Sequence, residues 1–250
     1  VAAGIALAGP RDQWMNAWRR LVFAPFQRPT LAAVALLAIG AKRKIYLAAE
    51  FAVVFFGLTF VYDLLARGTN PIPVLLVLGA ASAWYLLRTR SFDRRSLWRA
   101  DALRGQLRSI LTLWAVTAVV AVAVVAALLP DQLFAWPSRQ PLLWLAVMVF
   151  YPLFSVYPQE LVFRAFLFER YGPAFGGWTV AASAVAFGFV HIVFGSWVSV
   201  VLSAAGGWLF AVRYRRTRSL LVASVEHASY GVLVFTVGLG RFFFHGAVQT

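Results

Sequence analysis

Long apolar runs, separated by short and mostly basic polar stretches, dominate the chain. A helix that crosses the hydrocarbon core of a bilayer needs about 20 apolar residues, with roughly 17–25 the usual range. Seven runs are read as spans on this basis: 45–64, 72–87, 110–129, 141–157, 174–194, 196–212 and 219–240. The run 31–41 is only eleven residues long. As a helix it would reach about 16 Å, too short to cross, so it is read as interfacial or re-entrant. Ahead of it, Trp14, Trp18, Arg19, Arg20 and Phe23 fit an amphipathic helix lying on the membrane surface. The apolar stretch 1–9 is too short to span and has no basic flank before it, which argues against a secretory signal. The predicted fold class is therefore all-α: a polytopic membrane helix bundle of about seven transmembrane helices, residues 42–250, preceded by an amphipathic or interfacial segment, residues 1–41.

Composition points the same way. Of 250 residues, 62% are hydrophobic and 13% charged, against about 45–50% and about 25% in a soluble domain. This excludes a disordered chain, a disulfide scaffold and an ordinary cytosolic enzyme. There is no cysteine, hence no thiolate metal site and no thiol nucleophile. The net charge of +14 would direct attention to nucleic acid in a soluble protein. Here the charges sit between apolar runs, so they read as topology signals and headgroup contacts, with membrane lipid as the partner and no nucleic acid. With seven spans, 20 of the 23 basic residues fall on one side; only Arg67, Arg139 and Arg241 fall on the other. The positive-inside rule then places the N-terminus in the cytoplasm and the C-terminus outside. The seven arginines of 88–108 read as a connection facing lipid headgroups. Twenty-one arginines against two lysines point to a GC-rich bacterial genome, and so to a bacterial inner membrane. No internal repeat supports a repeat-built transporter.

Ionisable groups inside the spans are few: Glu50, Glu160, Arg164, His191, Glu226 and His227. They are costly in lipid and tend to face the bundle interior. Pro158 suits the first turn of a helix on which Glu160 and Arg164 stand four residues apart, on one face. Glu169 and Arg170 read as a helix end beside a turn at Gly172-Pro173. That turn lies 12 residues after Glu160 and 19 before His191. Straight helices would then hold the two side chains about 18 and 28 Å from the turn, roughly two helical turns out of step. Two histidines and a carboxylate are a catalytic zinc ligand set with one open position. Without metal, the same groups activate water and stabilise an oxyanion. The plain alternatives are an ion pair for Glu160 and Arg164, a hydrogen-bonded histidine for His191, and a supporting partner for Glu226. An ion pathway through Glu160, His191 and Glu226 is a further reading.

Over roughly residues 141–240 the chain resembles the CAAX-protease and bacteriocin-processing family of intramembrane proteases, related to type II CAAX prenyl endopeptidases. The resemblance rests on three motifs. Gln159-Glu160-x-x-x-Arg164 matches Glu-Glu-x-x-x-Arg, Phe187-x-x-x-His191 matches Phe-x-x-x-His, and His227 matches a histidine followed four residues later by Asn. It implies an intramembrane endopeptidase with Glu160, His191, His227 and Arg164 as its catalytic residues. If zinc is the cofactor, Glu160, His191 and His227 are its implied ligands; a metal-free site is the other option. The implied substrate is a membrane-associated peptide or protein, such as a prenylated C-terminus or a bacteriocin-like leader. Bacteria generally lack prenylation, which weighs against the former. Two departures stand out: Gln159 replaces the water-activating glutamate, and Gly231 replaces Asn. An amide is no base at neutral pH. Glu160 or Glu226 would have to supply the carboxylate, or the chain is a catalytically silent binding, immunity or regulatory protein of the same fold. Tyr230 is read as packing, Gly206-Gly207 and 181–184 as sites of close helix approach, and 241–246 as an interfacial anchor that leaves His245 without a role.

Overall fold

The computed structural model describes the backbone of residues 31–243 and the side chains of residues 40–243. The expected surface helix of residues 1–30 and His245 lie outside the described residues. The chain divides into two compact units, residues 1–43 and 44–250; the site lies in the second.

Among the described residues every regular element is helical. Helix α1 (Leu31–Ala52) passes through a wide π-turn at Val53–Gly57 into α2 (Leu58–Ala66). The basic run Lys42-Arg43-Lys44 is thus helical rather than a loop. There follow α3 (Ile72–Arg88), the arginine-rich connection with short helical turns, and α4 (Leu107–Leu128). Next comes a broken helical path of α5 (Pro141–Tyr151), α6 (Tyr157–Glu160) and α7 (Leu167–Phe175). It is joined by π-turns at Pro152–Val156 and Leu161–Phe166. Helices α8 (Thr179–Val190), α9 (Trp197–Thr217) and α10 (Leu220–Val237) complete the bundle.

Among the described residues, five stretches are long and apolar enough to cross a membrane: Gly40–Ala66, Leu107–Leu128, Pro141–Phe194, Trp197–Thr217 and Leu220–Val237. Ile72–Arg88 is apolar but shorter. The polar-out rule of soluble proteins is inverted, as an integral membrane protein requires. Leu65, Leu142 and Trp197 are about four-fifths exposed, while Glu160, Arg164 and Glu226 are wholly buried.

The turn expected at Gly172-Pro173 lies elsewhere. Pro173 sits inside α7, and the Gly176 N–H closes the last turn onto the Gly172 carbonyl. Gly176 has φ +53°, a conformation that glycine adopts without strain, and the chain reverses there. The shift repairs the register. Glu160 is 16 residues before Gly176 and His191 is 15 after it. Both therefore sit about 22–24 Å from the turn, at one level.

The core on the α1 side is aromatic. Phe51, Phe55, Phe163 and Tyr171 meet with ring centroids 5.0–5.9 Å apart. Such pairs each contribute about 0.5–1.5 kcal/mol beyond area burial. Arg170 donates twice to Glu50, at 2.9 and 2.7 Å, and Tyr171 donates once at 3.0 Å. This ties α1 to α7, so Arg170 belongs to a packed contact rather than a free helix end. Helices α8 and α9 approach closely through small residues. A methyl added at Gly188 would lie 2.7 Å from the Ala204 Cβ, and one at Gly207 would lie 3.0 Å from the Phe187 ring. In lipid, where no hydrophobic force drives helices together, such close packing holds them.

Gly207→Val should therefore lower unfolding stability by about 1–3 kcal/mol through overpacking against Phe187. Gly177→Ala, which meets nothing within 4 Å, should leave it unchanged. Denaturant titration of the two variants in mixed micelles checks this.

Candidate functional site

The site is built on the broken path α5–α7. Pro152 and Pro158 lack an N–H, and a π-turn follows at Pro152–Val156 and again at Leu161–Phe166. Wide turns re-aim side chains and often mark functional places. Here they turn Glu160 and Arg164 into the bundle, where both side chains are fully buried.

Glu160 has two partners. Its Oε2 lies 3.2 Å from Arg164 Nε, and its Oε1 lies 2.9 Å from His227 Nδ1 on α10. Arg164 also donates from Nη1 to Ser183 Oγ at 3.2 Å, and Ser183 donates to the Phe163 carbonyl at 2.7 Å. The guanidinium lies over the Phe187 ring at 4.6 Å and the Phe210 ring at 5.7 Å. His227 stacks on Phe210 at 4.6 Å and 16°, and meets Phe187 edge-on at 5.4 Å. Its second nitrogen, Nε2, is 3.2 Å from the Tyr151 hydroxyl. Since a carboxylate only accepts, the pairing assigns the proton to His227 Nδ1 and leaves Nε2 to accept from Tyr151.

His191 follows the end of α8 and opens a single tight turn, His191–Phe194. Its Nδ1 donates to the Phe187 carbonyl at 2.7 Å. A carbonyl only accepts, so Nδ1 bears the proton and Nε2 presents a lone pair. The ring is 9% exposed and bordered by Phe187, Phe194 and Phe243. Phe187 is the common neighbour of His191, His227 and Arg164. Gln159 donates from Nε2 to Ser155 Oγ at 2.7 Å, while its Oε1 is buried without a protein partner.

The structure thus joins Glu160 directly to Arg164 and His227. His191 has no bond to Glu160 and shares the Phe187 ring with His227 and Arg164. Glu226, which immediately precedes His227 in sequence, does not enter the site. Both its oxygens accept from Arg213 at 2.7 and 2.8 Å, and Arg213 also reaches Gln106 at 2.5 Å and Ser109 at 2.7 Å. It supplies no spare carboxylate, and a chain from Glu160 through His191 to Glu226 is interrupted. Among the described residues no three His, Asp or Glu side chains group as metal ligands. Both His227 nitrogens are engaged, and among the described residues His191 Nε2 is the one imidazole nitrogen of the three-residue set left open. As the side chains stand, Glu160, His191 and His227 do not fit a zinc ion.

Phe187 was visible in the sequence as part of a motif. Tyr151, Ser183 and Phe210 were not, because a tyrosine before a proline, or a serine among alanines, reads as ordinary packing until the helices are assembled. Tyr230 packs against Phe210 at 6.0 Å, as expected.

Residues 138–233 match the family described as Type II CAAX prenyl endopeptidase Rce1-like, and this segment is a domain of that family. The match takes in every site residue from Tyr151 to Gly231. Neither the curated proteins nor the solved structures contain a match to the chain.

A buried ion pair broken on one side is costly, because the remaining charge has no water. Arg164→Met should cost about 3–5 kcal/mol of unfolding free energy. Adding Glu160→Gln should recover most of the loss, as read by the same denaturant titration.

Proposed function

We propose that this domain is an intramembrane endopeptidase acting on membrane-associated peptides or proteins, with His191 as the base that takes a proton from water. The observation that carries the reading is the His191 Nε2 lone pair. It is aimed by the Phe187 carbonyl and has no partner among the described residues, and the helical rise from Gly176 puts it at about the level of Glu160. Gln159 cannot take a proton, yet its unpartnered Oε1 can accept a hydrogen bond from the attacking water and so orient it. In this scheme water attacks the scissile carbonyl carbon while its proton passes to His191 Nε2, and the imidazolium then protonates the leaving amine. Glu160, paired with Arg164, holds His227 against the Phe210 and Phe187 rings, and with both ring nitrogens engaged these groups shape the site rather than donate to the oxyanion.

The setting proposed for this chemistry is a bundle of seven crossings, with Pro141–Phe194 and Ile72–Arg88 among them, in a bacterial inner membrane. The N-terminus is cytoplasmic by the arginine distribution, and lipid is the surrounding partner. Zinc has no part in the scheme.

One observation favours the silent alternative, a binding or immunity protein: the amide of Gln159. The two readings separate on cleavage of membrane-bound test peptides by protein reconstituted in liposomes. The proposal expects cleavage by the wild type, a loss of at least about 100-fold in His191→Ala, and retained activity in Gln159→Glu. Product from Gln159→Glu but none from the wild type would establish the silent reading. Equal rates in wild type and His191→Ala would remove His191 from the chemistry.

A further inference from the structure

Gly231 stands four residues after His227, one turn along α10. A Cβ built there would lie 2.2 Å from Tyr151 Cε1, 2.3 Å from its hydroxyl oxygen and 2.5 Å from Cζ. No residue other than glycine fits while Tyr151 is in place. The space that a side chain at 231 would take beside His227 is filled instead by a phenol from another helix. That phenol ends 3.2 Å from His227 Nε2.

We propose that Tyr151 is a positioning residue of the site: its hydroxyl donates to His227 Nε2, completing a directional chain of Glu160, His227 and Tyr151 that Gly231 exists to admit. The chain has one sense. Glu160 accepts from Nδ1 at 2.9 Å, so in the neutral imidazole Nε2 has only a lone pair and the phenol is the group that donates. Removing the hydroxyl leaves His227 free to tautomerise and to turn on its Phe210 stack.

The placement is built rather than incidental. Tyr151 is the last residue of α5, immediately before Pro152 and the first π-turn. Its ring stands edge-on to Phe235 at 5.1 Å and 84°, and to His227 at 6.2 Å and 84°. Phe235 is the residue four beyond Gly231, so α10 offers a gap and then a wall for one ring. Ser155 and Gln159 follow Tyr151 at four-residue intervals, and are hydrogen-bonded to one another. The row brings the phenol and the amide onto one stretch of chain, which Glu160 directly follows. Tyr151 therefore links the element that carries Gln159 to the histidine that carries the Glu160 bond.

The proposal rests on the peptidase reading for its effect on rate, but not for its effect on His227. The test uses full-length protein in lipid nanodiscs with 15N-labelled histidine, the three signals being assigned by single histidine substitutions. The wild type should show His227 as the single Nδ1–H tautomer with a hydrogen-bonded Nε2. Tyr151→Phe, which removes one oxygen, should lose the hydrogen-bonded Nε2 signal. Gly231→Ala, whose methyl displaces the ring, should do the same. An unchanged His227 signal in Tyr151→Phe overturns the proposal, whatever Gly231→Ala does. Where the wild type cleaves a peptide, kcat of Tyr151→Phe should fall about tenfold, the worth of one hydrogen bond, with KM unchanged. An unchanged kcat in a cleaving enzyme overturns it too. A wild type that cleaves nothing defeats the peptidase reading alone, and the nitrogen signal still decides on Tyr151.

Discussion

A carboxylate with no access to water must be matched from within the protein, and in this bundle that carboxylate is Glu160. Its side chain has no exposed surface. The cost of stripping hydration from an ion amounts to several kcal/mol even after relaxation, and only good geometry repays it. The repayment comes from three directions: Arg164 one turn along its own helical path, His227 from α10, and the Ser183 hydroxyl that orients the arginine from α8. Three segments far apart in sequence are thus bound to one charge. The small residues of α8 and α9 let these helices come near enough to serve it.

The walls around that charge are aromatic for the same reason. Phe187 and Phe210 present ring faces to the guanidinium, and Phe210 also stacks on His227. A ring face attracts a cation without bringing water, so the ion pair gains support while the site stays dry. Phe187 does more. Its carbonyl fixes the His191 tautomer while its ring touches both His191 and His227. The site has a linked half, where Glu160, Arg164, His227 and Tyr151 touch one another although Arg164 Nη2 has no hydrogen-bond partner, and an open half, where His191 Nε2 and Gln159 Oε1 have none among the described residues. The open half is where a reactant belongs.

Much of this was legible in the chain. The apolar runs announced a helical membrane protein, since burial in lipid leaves helices as one of few ways to satisfy a backbone. Glu160 and Arg164 at a four-residue spacing announced their own pair. The motif carrying Phe187 and His191 proved to be a single contact across one helical turn. The register of the hairpin was misjudged because a proline normally marks a break. Pro173 lies so near the end of α7 that its missing N–H costs little, and Gly176 makes the turn instead. The bond from Glu160 to His227 was not legible for a related reason: spacing along one hairpin says nothing of α10, which returns later to lie beside it. Tyr151 was invisible. Its role depends on an absence at Gly231, eighty residues away, and a glycine in an apolar helix reads only as a place for close packing.

The central claim is that Glu160 and His227 are bound to each other and organise the bundle around that bond. A double-mutant cycle of unfolding stability, with Glu160→Gln, His227→Phe and the pair together in mixed micelles, tests it without knowledge of any substrate. Hydrogen bonds between membrane helices average about 0.6 kcal/mol, and those to charged groups reach about 1.5–3 kcal/mol. The account predicts a coupling above about 1 kcal/mol. Additive losses, with no coupling beyond about 0.3 kcal/mol, would contradict it.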